Sequence, residues 1–284
     1  MVKRMRALML AAAMVATPTM VATPSLAQSP GPGEIRGAAT AHTPASLAAS
    51  VEQASVALPA SVTGGAPFLG KWRDRPKTSG AKVPVVVFLH GSSGLGLKAI
   101  GEWQTWLAGL GFASVAPDSF ALPDRVTYGS PVPKDFYEKI HALRGSEIVP
   151  TLAALGGADW ADMKRVALAG TSEGSPAVAR YAGPEIAARM IFAWSCEDNY
   201  FVQAHATRVV ADQPVLNVIS TVDPFFSQKN KFLAAPDAKG HCGAAFADAK
   251  AATIVLIPGA PHTLLTLPQV KAATRAFLAE AFGR

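Results

Sequence analysis

A serine lies between two glycines at the spacing Gly-x-Ser-x-Gly in residues 170–174. The apolar residues 165–169 come directly before this motif, and the run 177–181, which begins with small residues, follows it. A serine hydroxyl is a weak nucleophile until a base accepts its proton, and a sharp turn between a strand and a helix exposes the hydroxyl to a carbonyl group. We therefore predict that Ser172 is a nucleophile, and a purely structural turn is the alternative.

The segments around this motif predict the elements that would position it. Apolar residues at helical spacing predict a helix between the first two strands, another over 134–155 with a kink at Pro150, and a last one from Pro268. Strands that alternate with helices predict an α/β fold whose parallel sheet carries helices on both faces. Ligands bind beyond the carboxyl ends of such strands, so the loops there are candidates for the chemistry. Six apolar segments are typical of buried strands: 83–89, 112–117, 165–169, 190–194, 215–220 and 253–258.

A histidine at the same edge of the sheet would be the base that accepts the serine proton. His262 follows the last predicted strand, and the order serine, aspartate, histidine is the one that a triad on such a sheet requires. Asp223 follows the strand segment 215–220 and is predicted to orient the imidazole and stabilise its charged form. Asp198, after the preceding strand, is the rival for that role. His90 is interpreted as a brace for the first loop rather than as a base.

Two backbone N–H groups would have to stabilise the negative oxygen that forms when the serine attacks a carbonyl. One is the amide of Glu173, directly after the nucleophile. The other is predicted to be the amide of Ser92 in the first loop, where Gly91 lets the backbone approach closely. The sequence thus predicts a complete set of groups for acyl transfer.

The first residues have the layout of a signal peptide. A basic start with Lys3, Arg4 and Arg6 precedes a short apolar segment, and Ser-Leu-Ala stands before Gln28. We expect cleavage near Ala27 and Gln28 and a secreted or periplasmic protein. An uncleaved membrane anchor is the alternative, but the apolar segment is shorter than the roughly 20 residues that a spanning helix needs.

The chain is therefore predicted to have three parts. Residues 1–27 form the signal peptide, residues 28–60 are rich in Ala, Pro, Ser and Gly and are interpreted as a linker or arm, and residues 61–284 form the catalytic domain. Two cysteines, Cys196 and Cys242, are present, and in an exported protein we expect them to form a disulfide rather than remain buried thiols.

Taken together, these motifs resemble those of the α/β-hydrolase superfamily and, within it, the dienelactone hydrolase family. The resemblance covers roughly residues 67–282 and rests on "VVVFLHGSSG", "APDSF", "VALAGTSEG", "STVDPF" and "GAPHTLL", in that order. It implies a mainly parallel eight-stranded sheet with helices on both faces, no cofactor, and the roles of nucleophile, acid and base for Ser172, Asp223 and His262. The founding members use a cysteine nucleophile and act in the cytoplasm, whereas this chain has a serine and an export signal.

The implied activity is hydrolysis of a carboxylic ester or lactone through an acyl-serine intermediate. A peptidase or amidase on the same fold and a non-catalytic binding module are the alternatives. Four aromatic residues lie in the loops that follow the predicted strands 190–194 and 215–220. They either pack these loops or line an acyl pocket: Tyr200, Phe201, Phe225 and Phe226.

Composition narrows the possible partners. The formal charge is +6, but half of it comes from the signal peptide and the other basic residues are scattered among acids, so no nucleic-acid partner is indicated. No histidine–carboxylate cluster has metal-ligand spacing, so no metal is expected. The expected partner is a small-molecule ester or lactone, no span is expected once the signal is removed, and the sequence leaves the oligomeric state open.

Overall fold

A computed structural model describes residues 30–228, 230 and 237–283 of the chain. The predicted signal peptide 1–27 lies outside the described residues. The strands are β1 (Ile35–Arg36), β2 (Ser55–Leu58), β3 (Phe68–Lys71), β4 (Val83–Leu89), β5 (Ala113–Ala116), β6 (Thr127–Tyr128), β7 (Ala161–Thr171), β8 (Ala188–Phe192), β9 (Val215–Ser220) and β10 (Ala252–Ile257). The α-helices are α1 (Pro44–Glu52), α2 (Ala60–Thr63), α3 (Lys98–Gly109), α4 (Lys134–Ser146), α5 (Ile148–Gly156), α6 (Ser175–Arg180) and α7 (Pro268–Phe282).

Eight of these strands form one sheet in the order β10-β9-β8-β7-β4-β5-β2-β3. The six strands from β10 to β5 are parallel, and β2 runs antiparallel to both β5 and β3. The carboxyl ends of the six parallel strands therefore lie at one edge, as the prediction of a mainly parallel α/β sheet requires. That prediction of the fold class is confirmed.

Helices cover both faces of the sheet because its central strands are apolar on both sides. Along β4, Val85, Val87 and Leu89 enter one core with α1, α4, α5 and α6, whereas Val86 and Phe88 enter a second core with α3 and α7. All seven residues of β4 are buried, which explains the unbroken apolar run of the sequence. The edge strand β10 departs from the prediction of a buried strand, because only its last residue, Ile257, is buried.

The structure corrects the interpretation of residues 28–60 as a linker or arm. Residues 44–52 form α1, and β2 inserts into the main sheet between β5 and β3 with Val56, Ala57 and Leu58 fully buried. Neither element is recognisable in the sequence. The strand β2 has four residues, which is too short to show a period, and α1 is rich in small residues and has a weak apolar stripe. The compact unit thus begins before residue 61.

Only residues 30–37 run over the surface as an arm, which we call the N-terminal strap. Its residues from Gly31 onward are exposed, and β1 within it pairs antiparallel with β6. The strap therefore lies on the surface and adds no side chain to either core.

The predicted helix 134–155 is two helices, α4 and α5, which meet at Glu147, in the turn before Pro150, because Pro150 has no N–H for the Ser146 carbonyl. Pro150 lies in the first turn of α5, where backbone N–H groups have no partner within the helix and a missing one is tolerated. Glu147 is fully buried beside Arg144, whose Nε donates to its carboxylate at 3.1 Å. Within the described part of the chain, no helix has the length and apolarity needed to cross a membrane.

Candidate active site

The strand β7 ends at Thr171, and Ser172 follows with a left-handed φ of +50°, which L-residues other than glycine rarely adopt. A single 3₁₀ turn, Ser172–Gly174, then leads into α6. A Cβ atom on Gly170 would lie 2.8 Å from the Gly174 carbonyl oxygen, and one on Gly174 would lie 2.3 Å from the Leu89 carbonyl oxygen. Both glycines are therefore required for the strand, the turn and β4 to pack this closely, with Ser172 at the apex.

Asp223 and His262 are joined by a hydrogen bond of 2.7 Å between His262 Nδ1 and Asp223 Oδ2. Asp223 is fully buried, and its Oδ1 accepts two further bonds from the backbone N–H groups of Phe225 (2.9 Å) and Phe226 (3.0 Å). These three donors hold a carboxylate and fix its direction. Because Nδ1 faces the carboxylate, Nε2 is the ring nitrogen that is left to act as a base.

The loop that carries His262 is tied to the end of β9. The Ser220 hydroxyl donates to the Ala260 carbonyl at 2.5 Å, and the Thr221 N–H donates to the Ile257 carbonyl at 3.1 Å. The ring of Phe225 packs edge-on against the imidazole, with 4.7 Å between the ring centroids. The position of His262 thus follows from parallel pairing of β9 with β10.

Two cavities meet at Ser172 and His262. The larger has a volume of about 330 Å³, and the smaller has about 50 Å³. Ser92 and Ser93 border both cavities, so Ser172 is open to a ligand on two sides. No hydrogen bond joins Ser172 to His262 among the described residues, and such bonds are often long in unliganded sites. The larger cavity is lined by Pro30, Pro32, Ser92, Ser93, Tyr128, Gly129, Ser130, Ser172, Tyr200, Phe201, Phe225, Phe226 and His262.

The aromatic residues singled out in the sequence therefore line the cavity, and they also pack against one another. Tyr200 stacks on Phe226 with 6.2 Å between the centroids, and Phe201 contacts Phe226 edge-on at 5.1 Å. The sequence analysis missed two other parts of the lining of the larger cavity. They come from the strap (Pro30 and Pro32) and from residues 128–130. Neither wall carries a local signal, because each is a short irregular segment that only the fold brings to Ser172.

The rival acid Asp198 is engaged elsewhere. Its Oδ1 accepts a hydrogen bond from the backbone N–H of His205, within its own loop. Among the described residues, the carboxylate that contacts His262 is that of Asp223. The geometry therefore favours Asp223 over Asp198 as the partner of His262.

The first loop brings its backbone against the serine turn. A Cβ on Gly91 would lie 3.4 Å from the Ser172 Cβ and 3.5 Å from the Thr171 carbonyl oxygen, which are ordinary contact distances, so the first loop lies beside the serine turn. Ser92 follows at the border of both cavities. Ser92 therefore borders the same cavities as Ser172, and Glu173 follows Ser172 in the chain; the role of their N–H groups as donors stays a prediction.

The Glu173 side chain enters a buried cluster of charges behind the site. Its Oε1 accepts hydrogen bonds from Arg125 Nη2 at 2.5 Å and from Arg144 Nη1 at 3.2 Å, and Arg144 Nε also donates to Glu147. Burial by itself would raise the pKa of the Glu173 carboxyl, but the charges of Arg125 and Arg144 lower it to about 2. Two arginines thus balance two glutamates, and the side chain of Glu173 fixes the residue that follows Ser172.

His90 braces the first loop, as the sequence suggested. The ring is fully buried, its Nδ1 lies 2.7 Å from the Gly91 carbonyl oxygen, and its Nε2 accepts from the Ser119 N–H at 3.2 Å. Burial and, after it, the charge of Arg144 lower the pKa of His90 to about 3. A neutral His90 therefore connects the loops that follow β4 and β5.

A disulfide joins Cys196, in the loop after β8, to Cys242. Nearby, Glu197 accepts hydrogen bonds from the backbone N–H groups of Lys239 and Gly240, and a Cβ on Gly240 would lie 3.1 Å from the Ser227 Cα. The disulfide region is therefore packed against the segment that follows Asp223. No group of three side chains able to hold a metal ion occurs among the residues described.

Comparison with solved structures identifies the fold. A dienelactone hydrolase-like protein from Klebsiella pneumoniae subsp. pneumoniae MGH 78578 matches with a TM-score of 0.52 and 17% identity, over 73% of this chain and 90% of its own. Est1E from Butyrivibrio proteoclasticus, bound to ferulic acid, matches with a TM-score of 0.50 and 17% identity, over 81% of this chain and 95% of its own. This chain has the α/β-hydrolase fold.

No protein-family model matches the sequence, and no curated protein matches it either. Identities of 17% establish the α/β-hydrolase fold alone.

The contact of Gly174 with Leu89 can be tested by Gly174→Ala. We expect this change to lower the free energy of unfolding by about 1–3 kcal/mol, the usual cost of inserting a methyl group into a packed interior. Urea unfolding measures it, with Gly145→Ala in α4 as the control, since a Cβ there meets nothing within 4 Å. Equal stability of both variants would contradict the account of the turn.

Acid should destabilise the fold before it affects most carboxylates. The pKa of His90 is about 3 in the folded protein and about 6.5 in an unfolded chain. The contribution of His90 to the free energy of unfolding is therefore complete above pH 6.5 and is lost as the pH falls toward 3. Burial also lowers the pKa of His141 and His205, which adds to the loss. Glu173, with a pKa of about 2, adds a further loss below about pH 4.5.

Thermal unfolding between pH 7 and 5 measures this dependence. The midpoint should fall toward pH 5 in the wild type and fall less steeply in His90→Gln, which has no ring to protonate. If His90→Gln keeps the wild-type slope, His90 is not a source of the acid sensitivity.

Proposed function

We propose that the protein hydrolyses carboxylic esters or lactones through an acyl-serine intermediate. The observation that carries this proposal is the Asp223–His262 hydrogen bond of 2.7 Å at a cavity that also contains Ser172 on its strained turn. A nucleophile, a base and a buried carboxylate that fixes the tautomer of the base are the components of a serine triad. We also propose membership of the dienelactone hydrolase-like family, which the fold and the sequence motifs support.

In the first half of the reaction, the Ser172 Oγ bonds to the carbonyl carbon while His262 Nε2 takes its proton. The carbonyl electron pair moves onto the oxygen, and the N–H groups of Ser92 and Glu173 are the donors that would stabilise it. Asp223 stabilises the imidazolium that forms. When the electron pair returns, the bond to the alcohol oxygen breaks, and that oxygen receives the proton from His262.

In the second half, water takes the place of the alcohol. His262 accepts a proton from the water as its oxygen bonds to the acyl carbon, and the same donors stabilise the second negative oxygen. The bond to Ser172 then breaks, the serine regains its proton from His262, and a carboxylic acid leaves. For a lactone the alcohol and the acid are one molecule.

The walls of the larger cavity support a compact carboxylic ester as the substrate. Aromatic rings and prolines make most of the lining, which favours an apolar group, and its volume of about 330 Å³ is at the lower end of the usual range for ligand sites. Ferulic acid, which is bound to Est1E, is itself a carboxylic acid, the product class that the proposed reaction releases. A peptide or amide is the alternative substrate.

We propose that the protein acts outside the cytoplasm, after removal of the signal peptide near Ala27 and Gln28. The disulfide between Cys196 and Cys242 supports this, because disulfides persist in oxidising compartments. The catalytic domain we propose includes α1 and β2 as well as residues 61–284, since β2 is part of the main sheet.

Ser172→Ala should fold like the wild type and lose nearly all hydrolysis of p-nitrophenyl esters. Triad loss in serine hydrolases leaves only the residual rate that the oxyanion hole and binding supply, about 10³–10⁴ over water. Labelling by a fluorophosphonate should disappear with the activity. The wild type should act on the esters in preference to peptide anilides, and the reverse preference would indicate a peptidase. Retention of more than a few per cent of the rate in the variant would exclude Ser172 as the nucleophile.

Asp223→Asn and Asp198→Asn form a matched pair. The amide at position 223 would hold His262 in the wrong tautomer, and such a change has cost about 10⁴ in kcat in a serine protease. At position 198 an amide oxygen can still accept from the His205 N–H, so the activity should remain near wild type. Steady-state kinetics decide the order, and a larger loss for Asp198→Asn would transfer the role of the acid to that residue.

A further inference from the structure

The N-terminal strap is attached by a ladder of backbone hydrogen bonds to the segment 124–129. The Gly33 N–H donates to the Gly129 carbonyl at 2.7 Å, and the Gly129 N–H donates to the Glu34 carbonyl at 2.9 Å. Just after the strap, the Ala38 N–H donates to the Asp124 carbonyl at 3.1 Å. The strap therefore has a defined register on this segment.

Two glycines make the attachment closer than other residues would allow. A Cβ on Gly129 would lie 2.0 Å from the Gly31 carbonyl oxygen. A Cβ on Gly37, where φ is +79°, would lie 2.7 Å from the Arg125 carbonyl oxygen. Glycine is therefore required on both sides of the contact, which means that the exposed strap is packed closely against the segment 124–129.

The strap adds almost nothing to the hydrophobic cores. Every residue from Gly31 to Ala38 is exposed, and Ile35 keeps 41% of its surface in contact with solvent. A segment that is held in register yet buries no apolar side chain needs another explanation than stability. The explanation lies at its beginning, where Pro30 and Pro32 line the larger cavity that contains Ser172.

We propose that the strap is a specificity-determining wall: Pro30 and Pro32 limit the size of the substrate group that enters the larger cavity. This inference rests on the proposed ester hydrolysis. Prolines suit the role because the ring fixes φ and leaves no N–H to be satisfied at an apolar wall. The strap borders only the larger of the two cavities at Ser172 and His262, so it acts on one of the two parts of an ester, the acyl group or the alcohol.

The test compares two variants that should have opposite effects. A chain that starts at Ala38 lacks the wall, and Pro32→Phe adds bulk to it without removing a backbone donor. Each is assayed with p-nitrophenyl esters of increasing acyl length and with acetate esters of increasingly large alcohols. The readout is kcat/KM for the largest ester of a series divided by kcat/KM for the smallest. Pro76→Phe, at an exposed proline away from both cavities, is the matched control.

In one of the two series, the shortened chain should raise this ratio by about tenfold and Pro32→Phe should lower it by a similar factor, which is the scale of one methylene group in a hydrophobic pocket. The control should keep the wild-type ratio. Circular dichroism verifies that each variant is folded, and Pro32→Phe alone still decides the question if the shortened chain does not fold.

Ratios that stay at the wild-type value in both series, or move equally in both, would overturn the inference while the ester hydrolysis remains. A wild type that hydrolyses no ester of either series would overturn the proposed function and the inference with it. The two failures are therefore distinguished by the wild-type rate alone.

Discussion

The contact between Gly174 and the backbone of Leu89 is the constraint on which the site depends. The serine turn lies directly against the end of β4, so no Cβ fits between them, and Ser172 in this turn adopts a left-handed φ of +50°. Such a conformation costs on the order of 1–3 kcal/mol and persists where the surrounding structure fixes it. The first loop also lies beside Ser172, where a Cβ on Gly91 would be 3.4 Å from the Ser172 Cβ.

The buried charges behind the turn extend this constraint into the rest of the fold. Glu173 is bonded to Arg125, which follows β5, and to Arg144 in α4, and Arg144 also donates to the His90 carbonyl at the end of β4. His42, in front of α1, reaches Glu147 at 3.1 Å. Removing one member of such a network leaves an uncompensated buried charge, which is strongly destabilising. Four separate elements are thus fixed relative to the residue that follows Ser172.

The sequence predicts the sheet and the candidate site residues for a common physical reason. Long apolar strands are recognisable locally, and in a parallel sheet the first polar residues after them must meet at one edge, which is where Ser172, Asp223 and His262 lie. Two parts of the fold are not predictable in this way: the strap at the larger cavity, which has no side-chain period, and β2, which is short and pairs with β5, about sixty residues later.

The arginines of the charge cluster could not be recognised either. Arg125 and Arg144 find Glu173 at separations of 48 and 29 residues, and in the sequence they look like ordinary surface charges. The break between α4 and α5 differs, because it has a local signal. Pro150 has no N–H for the Ser146 carbonyl, so α4 ends there, and the buried Glu147, whose partners come from different elements, lies at the junction.

The half-exposed edge strand β10 has a consequence for the behaviour of the protein at high concentration. Its six residues, Ala-Thr-Ile-Val-Leu-Ile, carry no charge, and its outer side pairs with no strand in the described part of the chain. Unpaired backbone groups beside apolar side chains are a template for intermolecular β-pairing and aggregation. Lys250 before the strand and Pro258 after it flank this template with a charge and with a residue that cannot donate to a ladder. Colloidal stability at this edge therefore depends on the two flanking residues rather than on the strand itself.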